Sequence, residues 1–241
     1  MGQHLFIISL LLFSCQTKLG QPSKPDIGTT SRKETKHIIK KEAELLEHFL
    51  DSTNIGRPKK NKFELSLFRN SDSSYVIIHF YVKSNQNKWL LKQKFNFPAN
   101  DISGCFTELS DFNNDGFKDI TYKSALAARG ANDVRRLFIY DNSKDQLIYI
   151  KNSENYPNLG YNKKLNCIDA FLVHGGSTTV FLKIEKDSLR EFASVNLDDK
   201  INIQLIDKNG NRRYLIRNKK NTFDPYTRFT NFSPLEENTV Q

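Results

Sequence analysis

Most of the chain consists of short segments rich in β-branched and aromatic residues, and this pattern constrains the fold more than any other feature. From residue 62 onward such segments follow one another, as in "SSYVIIHFYVK". Polar turns such as "NSKD", "EKDS" and "DKNGN" separate them, and the last contains the Asn209-Gly210 pair that favours a tight hairpin. Short strands joined by tight turns predict a mainly β fold of antiparallel strands, arranged as a curled sheet, a barrel or a propeller-like stack.

Residues 32–51 depart from this pattern. Their apolar residues recur at helical spacing, with charged residues on the other side: Ile38, Ile39, Leu45, Leu46, Phe49 and Leu50. This periodicity predicts one N-terminal amphipathic helix. The acidic residues within it favour packing on the parent domain over the alternative, a helix lying on a membrane surface.

The first fifteen residues predict export. Their apolar run "LFIISLLLFSC" is too short to span a bilayer as a helix and is typical of a signal peptide over residues 1–14. The ending "LFSC" resembles the lipobox of bacterial lipoproteins, which implies that Cys15 is lipidated and anchors the mature protein to a membrane. A plain secretory peptide is the alternative. The "QTKL" after Cys15 carries no acidic run, which favours the periplasmic face of the bacterial envelope over the cell surface.

The rest of the 241 residues divides by composition. Residues 15–31 are polar and rich in Pro, Gly, Ser and Thr, which predicts a flexible tether. Residues 32–221 are long enough for one domain with its own core, and residues 222–241 lack periodicity, which predicts an irregular tail.

The net charge of +9 does not by itself indicate a nucleic-acid partner. Lysine and arginine are spread along the chain, with the densest groups within residues 57–62 and 212–220. No nucleic-acid-binding motif accompanies them, so we interpret them as a solvated surface.

One acidic stretch stands out in this basic chain, "LSDFNNDGFKDITYK" at residues 109–123. Counted from its first aspartate, positions one, three, five, six, seven and nine are Asp111, Asn113, Asp115, Gly116, Phe117 and Asp119. This is the spacing of a calcium loop, in which side-chain oxygens alternate, glycine makes the sharp turn and the seventh residue offers its carbonyl. A polar hairpin turn is the alternative, but it does not explain the register of Asp111 and Asp119.

The loop is not an EF-hand, because its twelfth position is Tyr122 and its flanks read as strands. It resembles the calcium loop of FG-GAP and integrin-type β-propeller repeats, which implies a structural ion. Residues 105–195 resemble small secreted bacterial proteins with one such loop. That family includes calcium-binding periplasmic immunity proteins that inhibit lysozyme-like peptidoglycan hydrolases. The basic charge opposes this role, since many lysozymes are basic too. Water or a distant carboxylate would complete the site, the candidates being Asp101, Glu108, Asp133, Asp141 and Asp169.

Two cysteines remain besides Cys15. Cys105 and Cys167 lie in strand-like segments of a protein expected outside the cytoplasm. They either form a disulfide or serve as two separate small buried hydrophobic residues, and the sequence does not decide between these.

No catalytic constellation stands out. The chain contains no HExxH, no G-x-S-x-G nucleophile elbow, no P-loop and no G-x-G-x-x-G. The "HGGS" of residues 174–177 fits a hairpin turn. We therefore expect a binding protein and not an enzyme: membrane-anchored, calcium-stabilised, with an unknown protein or glycan as partner. The alternative is an envelope enzyme acting on cell-wall glycan or lipid.

Overall fold

A computed structural model of the chain describes residues 43–99 and 102–233. Fourteen strands lie in these ranges, together with two short 3₁₀ turns at Ala128–Gly130 and Ser153–Asn155. Each strand pairs antiparallel with its neighbours, and the strands form three separate sheets. The prediction of a mainly β, antiparallel fold is confirmed, and the described strands do not close into a barrel.

The first sheet is a meander of four strands that follow their order in the chain. They are β1 (Glu44–Asp51), β2 (Asn61–Arg69), β3 (Ser74–Lys83) and β4 (Trp89–Pro98). Strict alternation places every second residue of β2 and β3 on the buried face, as with Phe63, Leu65 and Leu67.

The second sheet is also a four-stranded meander. It contains β5 (Glu108–Ser110), β6 (Asp119–Ala127), β7 (Asn132–Asp141) and β8 (Gln146–Ile150). In β7, six consecutive residues are buried, so this strand is covered on both faces. Phe138 and Tyr140 pack on one side, and Leu137 and Ile139 pack on the other.

The third sheet has six strands in the order β14-β13-β12-β11-β10-β9. They are β9 (Gly160–Asn162), β10 (Cys167–Val173), β11 (Ser177–Glu185), β12 (Ser188–Leu197), β13 (Lys200–Ile206) and β14 (Arg212–Lys220). The last strand, β14, is an edge strand, and most of its side chains are exposed.

The three sheets stack in layers with the second sheet in the middle. One core lies between the first and second sheets, where Phe80 and Phe138 belong to the same cluster. A second core joins the other face of the second sheet to the third sheet, through Leu137, Ile139, Val180 and Leu182. A third core lies on the far face of the third sheet.

The C-terminal segment covers that third core. Phe229 is buried there, with Phe223 and Phe232 packed beside it. The N–H of Phe229 donates to Oγ1 of Thr179 at 3.0 Å, and Arg228 forms a salt bridge with Asp169. Residues 222–233 contain no helix or strand, and they are part of the packed structure.

The predicted helix is wrong over residues 44–51, which form strand β1. Pairing with β2 supplies the backbone hydrogen bonds, and a bulge between Leu45 and Glu47 lets Leu46 and Phe49 contact the core. Leu45 and Leu50 are left 54% and 51% exposed. The helical spacing was therefore misleading, because an edge of a sheet overrode the local preference.

Cys105 and Cys167 are both free and buried in the structure. Cys105 belongs to the first core and Cys167 to the third, so the stack of sheets keeps them apart. The structure thus corresponds to the buried-hydrophobe alternative and not to the disulfide.

Several predicted segments lie outside the described residues. They are the signal peptide, the lipidation site Cys15, the tether, the start of the predicted helix and the last eight residues of the predicted tail. Within residues 43–99 and 102–233, no helix has the length and apolar character needed to cross a membrane.

Candidate metal site

The acidic stretch forms the connection between β5 and β6. Its turn needs backbone angles that favour small or amide-bearing residues, because Asn114 has φ of 58° and Gly116 has φ of 87°. A Cβ on Gly116 would meet no neighbour, so conformation and not space selects glycine there.

Three of the predicted ligands converge on this turn. The N–H of Asp115 donates to Oδ1 of both Asp111 and Asn113, each at 3.2 Å. Oδ2 of Asp111 accepts the N–H of Gly116 at 2.9 Å, and Oδ1 of Asp115 accepts the N–H of Phe117 at 2.9 Å. The side-chain oxygens of Asp111, Asn113 and Asp115 therefore share one exposed loop, and backbone N–H groups hold them in position.

Asp119, the fourth side chain, is fully buried beneath the loop. Its Oδ2 accepts the N–H of Phe112 at 2.7 Å, and its Oδ1 accepts the N–H of Tyr140 at 2.8 Å. One carboxylate thus ties the start of the loop to strand β7. The sequence count assigned Asp119 to a metal and did not indicate this link.

Burial raises the pKa of Asp119 to about 7, although the N–H groups of Tyr140 and Phe112 act to lower it. The charges of Asp115 and Asp111 raise this pKa further. A cation among these groups would favour the ionised carboxylate, because an opposite charge stabilises the charged form.

The donor set fits calcium in its chemistry, since it consists of hard carboxylate and amide oxygens. An oxygen that accepts one N–H also keeps a second lone pair. In the part of the chain that the structure describes, however, no three His, Cys, Asp or Glu side chains are gathered as a metal-holding group. Asp111, Asn113 and Asp115 would hold the ion with the carbonyl of Phe117, whereas Asp119 as a ligand stays a prediction.

The distant carboxylates considered for completing the site have other partners. Glu108 and Asp133 form salt bridges with Arg135, at 3.4 and 3.0 Å. Asp141 accepts the N–H of Ser143 within its own turn at 2.9 Å, and Asp169 pairs with Arg228. Asp101 lies outside the described residues. Water is therefore the simplest group to complete a calcium shell here.

The loop also contacts the connection between β1 and β2 of the first sheet. The N–H of Gly56 donates to the carbonyl of Lys118 at 3.3 Å. Phe117 packs edge-on against Tyr140, with 5.5 Å between ring centroids. An ion that ordered this loop would therefore stabilise a junction between two layers.

Two of the described histidines form local side-chain contacts. Nδ1 of His48 lies 3.0 Å from Oγ of Ser66, and Nε2 of His174 lies 3.0 Å from Oγ1 of Thr178. Packing requires a glycine at Gly176 of the "HGGS" turn, because a Cβ there would lie 2.0 Å from the carbonyl oxygen of Leu197. This glycine is explained by close contact between backbones.

Comparison with known proteins returns one distant structural likeness. A solved structure described as a Xanthomonas type IV secretion system related protein is similar with a TM-score of 0.43 and 10% sequence identity. The alignment covers 71% of this chain and 94% of that one. No family model and no curated protein matches the chain. A likeness this distant carries no information about function.

Proposed function

We propose that this chain is a calcium-stabilised binding protein of the bacterial cell envelope, anchored to a membrane through a lipidated Cys15. The observation that carries the proposal is the arrangement of the acidic loop. Asp111, Asn113 and Asp115 gather their oxygens on one turn directly above the buried Asp119, at a junction between two sheets.

Calcium would have a structural role at this position. Carboxylates held close together repel one another, and a divalent cation removes that repulsion. Because Asp119 links Phe112 to Tyr140, an ordered loop stabilises the contact between the β5–β6 connection and strand β7. The ion would fix this geometry and take no part in chemistry.

The two described cysteines give no support to an enzyme that uses a thiol nucleophile, and the sequence contains none of the catalytic motifs named above. Burial raises the pKa of Cys105 to about 12 and that of Cys167 to about 11, so neither thiol is activated. The partner is a protein or a glycan. Immunity against a lysozyme-like hydrolase is the more specific hypothesis, and it is supported by the resemblance of the loop alone.

Thermal unfolding with and without calcium tests the metal. An ion bound only by the folded state at about 100 times its Kd adds about 2.7 kcal/mol. For a chain of this size that raises Tm by roughly 5–10 °C. We expect this rise for the wild type in millimolar calcium relative to EGTA, and a smaller rise in equal magnesium.

Matched variants make the test specific to the loop. Asp115→Asn should lose most of the calcium-dependent rise. Asp207→Asn should keep it, because Asp207 organises a comparable exposed turn by accepting the N–H groups of Asn209 and Asn211, but lies outside the candidate site. Equal Tm values for the wild type in calcium and in EGTA would refute the metal proposal.

A further inference from the structure

One face of the third sheet is apolar where it packs on the second sheet and polar on the strands beyond that contact. On β11, Val180 and Leu182 pack against the second sheet. Cross-strand pairing continues the same face from Val180 to Ser194 on β12, to Gln204 on β13 and to Tyr214 on β14. The six-stranded third sheet is wider than the four-stranded second sheet, and the second core includes no residue of β13 or β14.

The polar part of this face lines a groove of about 510 Å³. A second cross-strand row runs through it, from Thr178 to Asn196 to Asn202. The intervening residues Val195, Ile201 and Ile203 point to the opposite face and belong to the third core. The groove is therefore built on a rigid part of the sheet.

Hydrogen bonds hold the groove side chains in place. Nδ2 of Asn196 donates to Oγ1 of Thr178 at 2.9 Å, and Oε1 of Gln204 accepts from Nη1 of Arg212 at 3.0 Å. Oδ1 of Asn202 accepts the N–H of Asn218 at 2.9 Å. Each amide uses one of its two polar atoms in this way.

The other atom of each amide is available to a ligand. No residue of the described ranges makes a hydrogen bond to Oδ1 of Asn196, Nδ2 of Asn202 or Nε2 of Gln204. The groove thus offers fixed donors and acceptors side by side. A sugar hydroxyl both donates and accepts, so a chain of sugars suits this surface.

The charge of the groove favours an anionic ligand. Arg217 lines it and lies over the ring of Tyr214 at 5.0 Å, and no salt bridge to Arg217 is formed by the residues the structure describes. Of the residues that line the groove, Arg212 and Arg217 are basic and Glu191 is acidic. The rest of strand β14 adds three further basic residues beside the groove, Arg213, Lys219 and Lys220. A guanidinium pairs with a carboxylate through two parallel hydrogen bonds.

A solvated sheet face would also be polar, but its usual residues are lysine and glutamate with long mobile side chains. In this groove the central positions instead carry amide and hydroxyl side chains, which lie in cross-strand rows and are held by hydrogen bonds. We propose that this groove binds a carboxylate-bearing polysaccharide, with the amides recognising hydroxyl groups and Arg217 recognising the carboxylate. The inference rests on the proposed binding function and names its ligand class, but it does not depend on calcium.

The test measures affinity by calorimetry with three polysaccharides, using the full chain in EGTA. Polygalacturonate supplies carboxylates, its methyl ester supplies the same backbone without charge, and dextran sulfate supplies charge without carboxylates. We expect polygalacturonate to bind best, about tenfold or more over the ester, which is the scale of one charge-assisted hydrogen bond.

Variants locate the binding. Arg217→Gln should lower affinity for polygalacturonate about tenfold and leave the ester unchanged, as expected for the loss of one ionic contact. The pair Asn202→Ala and Gln204→Ala should weaken both polymers. Lys92→Gln, on the exposed β4 of the first sheet, removes the same charge elsewhere and should change neither. Circular dichroism confirms folding of each variant.

Three results would overturn the proposal: no binding of polygalacturonate, equally tight binding of dextran sulfate, or equal losses in Arg217→Gln and Lys92→Gln. A protein partner whose binding is lost in the groove variants, with no polysaccharide bound, would replace the ligand class. Because EGTA is present throughout, failure here is distinct from failure of the calcium test, which is decided by Tm.

Discussion

Replacing Asp119 by alanine should destabilise the domain even without calcium. The change leaves the N–H groups of Phe112 and Tyr140 without their acceptor, in a place that is fully buried. An unsatisfied buried donor costs about 1–3 kcal/mol, so the two together cost about 2–6 kcal/mol. Removing a buried carboxylate relieves its desolvation and offsets part of this cost. We expect a net loss of about 2–3 kcal/mol in the free energy of unfolding.

Urea denaturation in EGTA, followed by circular dichroism, measures this loss. Asp119→Asn keeps the size and one acceptor oxygen, so it should cost less than the alanine variant. Asp115→Ala alters the exposed turn alone and should change stability by less than about 1 kcal/mol in EGTA. If Asp119→Ala is as stable as the wild type in EGTA and loses stability in calcium, Asp119 is a ligand and not a structural link, and the reasoning fails.

Two further predictions concern other carboxylates. Desolvation acts to raise the pKa of Asp51, but the N–H groups of Asn54, Ile55 and Thr53 together hold it below its usual 3.8. Asp51 is partly exposed, so solvent screening reduces this stabilisation. It is present above that pH and is lost as the pH falls through the lowered pKa, so Asp51→Asn should lower the free energy of unfolding at neutral pH and leave it unchanged in strong acid. Urea titrations at both pH values check this, and an equal cost at both would contradict it. Arg228→Ala should leave the buried Asp169 without its salt bridge and speed proteolysis within residues 222–233, whereas Arg190→Ala, which breaks the surface pair with Glu185, should not. Unchanged cleavage in Arg228→Ala would show that the phenylalanines alone hold the segment.

The alternation of apolar and polar residues was enough to predict the β class and its antiparallel pairing. This works because a strand exposes successive side chains to opposite faces, so one buried face leaves a period of two in the sequence. Strands β2 and β3 show it directly, with every second residue in the first core.

The same reasoning failed at β1 because its apolar residues fit two periods. Leu45, Leu46, Phe49 and Leu50 match a helical stripe, and a bulge also lets two of them reach the core from a strand. The choice depends on β2, whose free edge supplies backbone partners, and no local property of residues 44–51 indicates that edge.

The acidic loop also has one part that the sequence could predict and one part that it could not. Residue spacing was enough to predict that the side-chain oxygens of Asp111, Asn113 and Asp115 lie on one turn, because neighbours in sequence remain neighbours in a short loop. Spacing could not show that Asp119 accepts the N–H of Tyr140, which lies 21 residues away. The groove shows the same limit. The sequence shows that alternate positions of β12 and β13 are polar, but whether that face of the sheet is covered depends on the width of a neighbouring sheet. Periodicity and spacing are local properties and could be predicted, whereas coverage and long-range pairing arise from the stacking of distant segments.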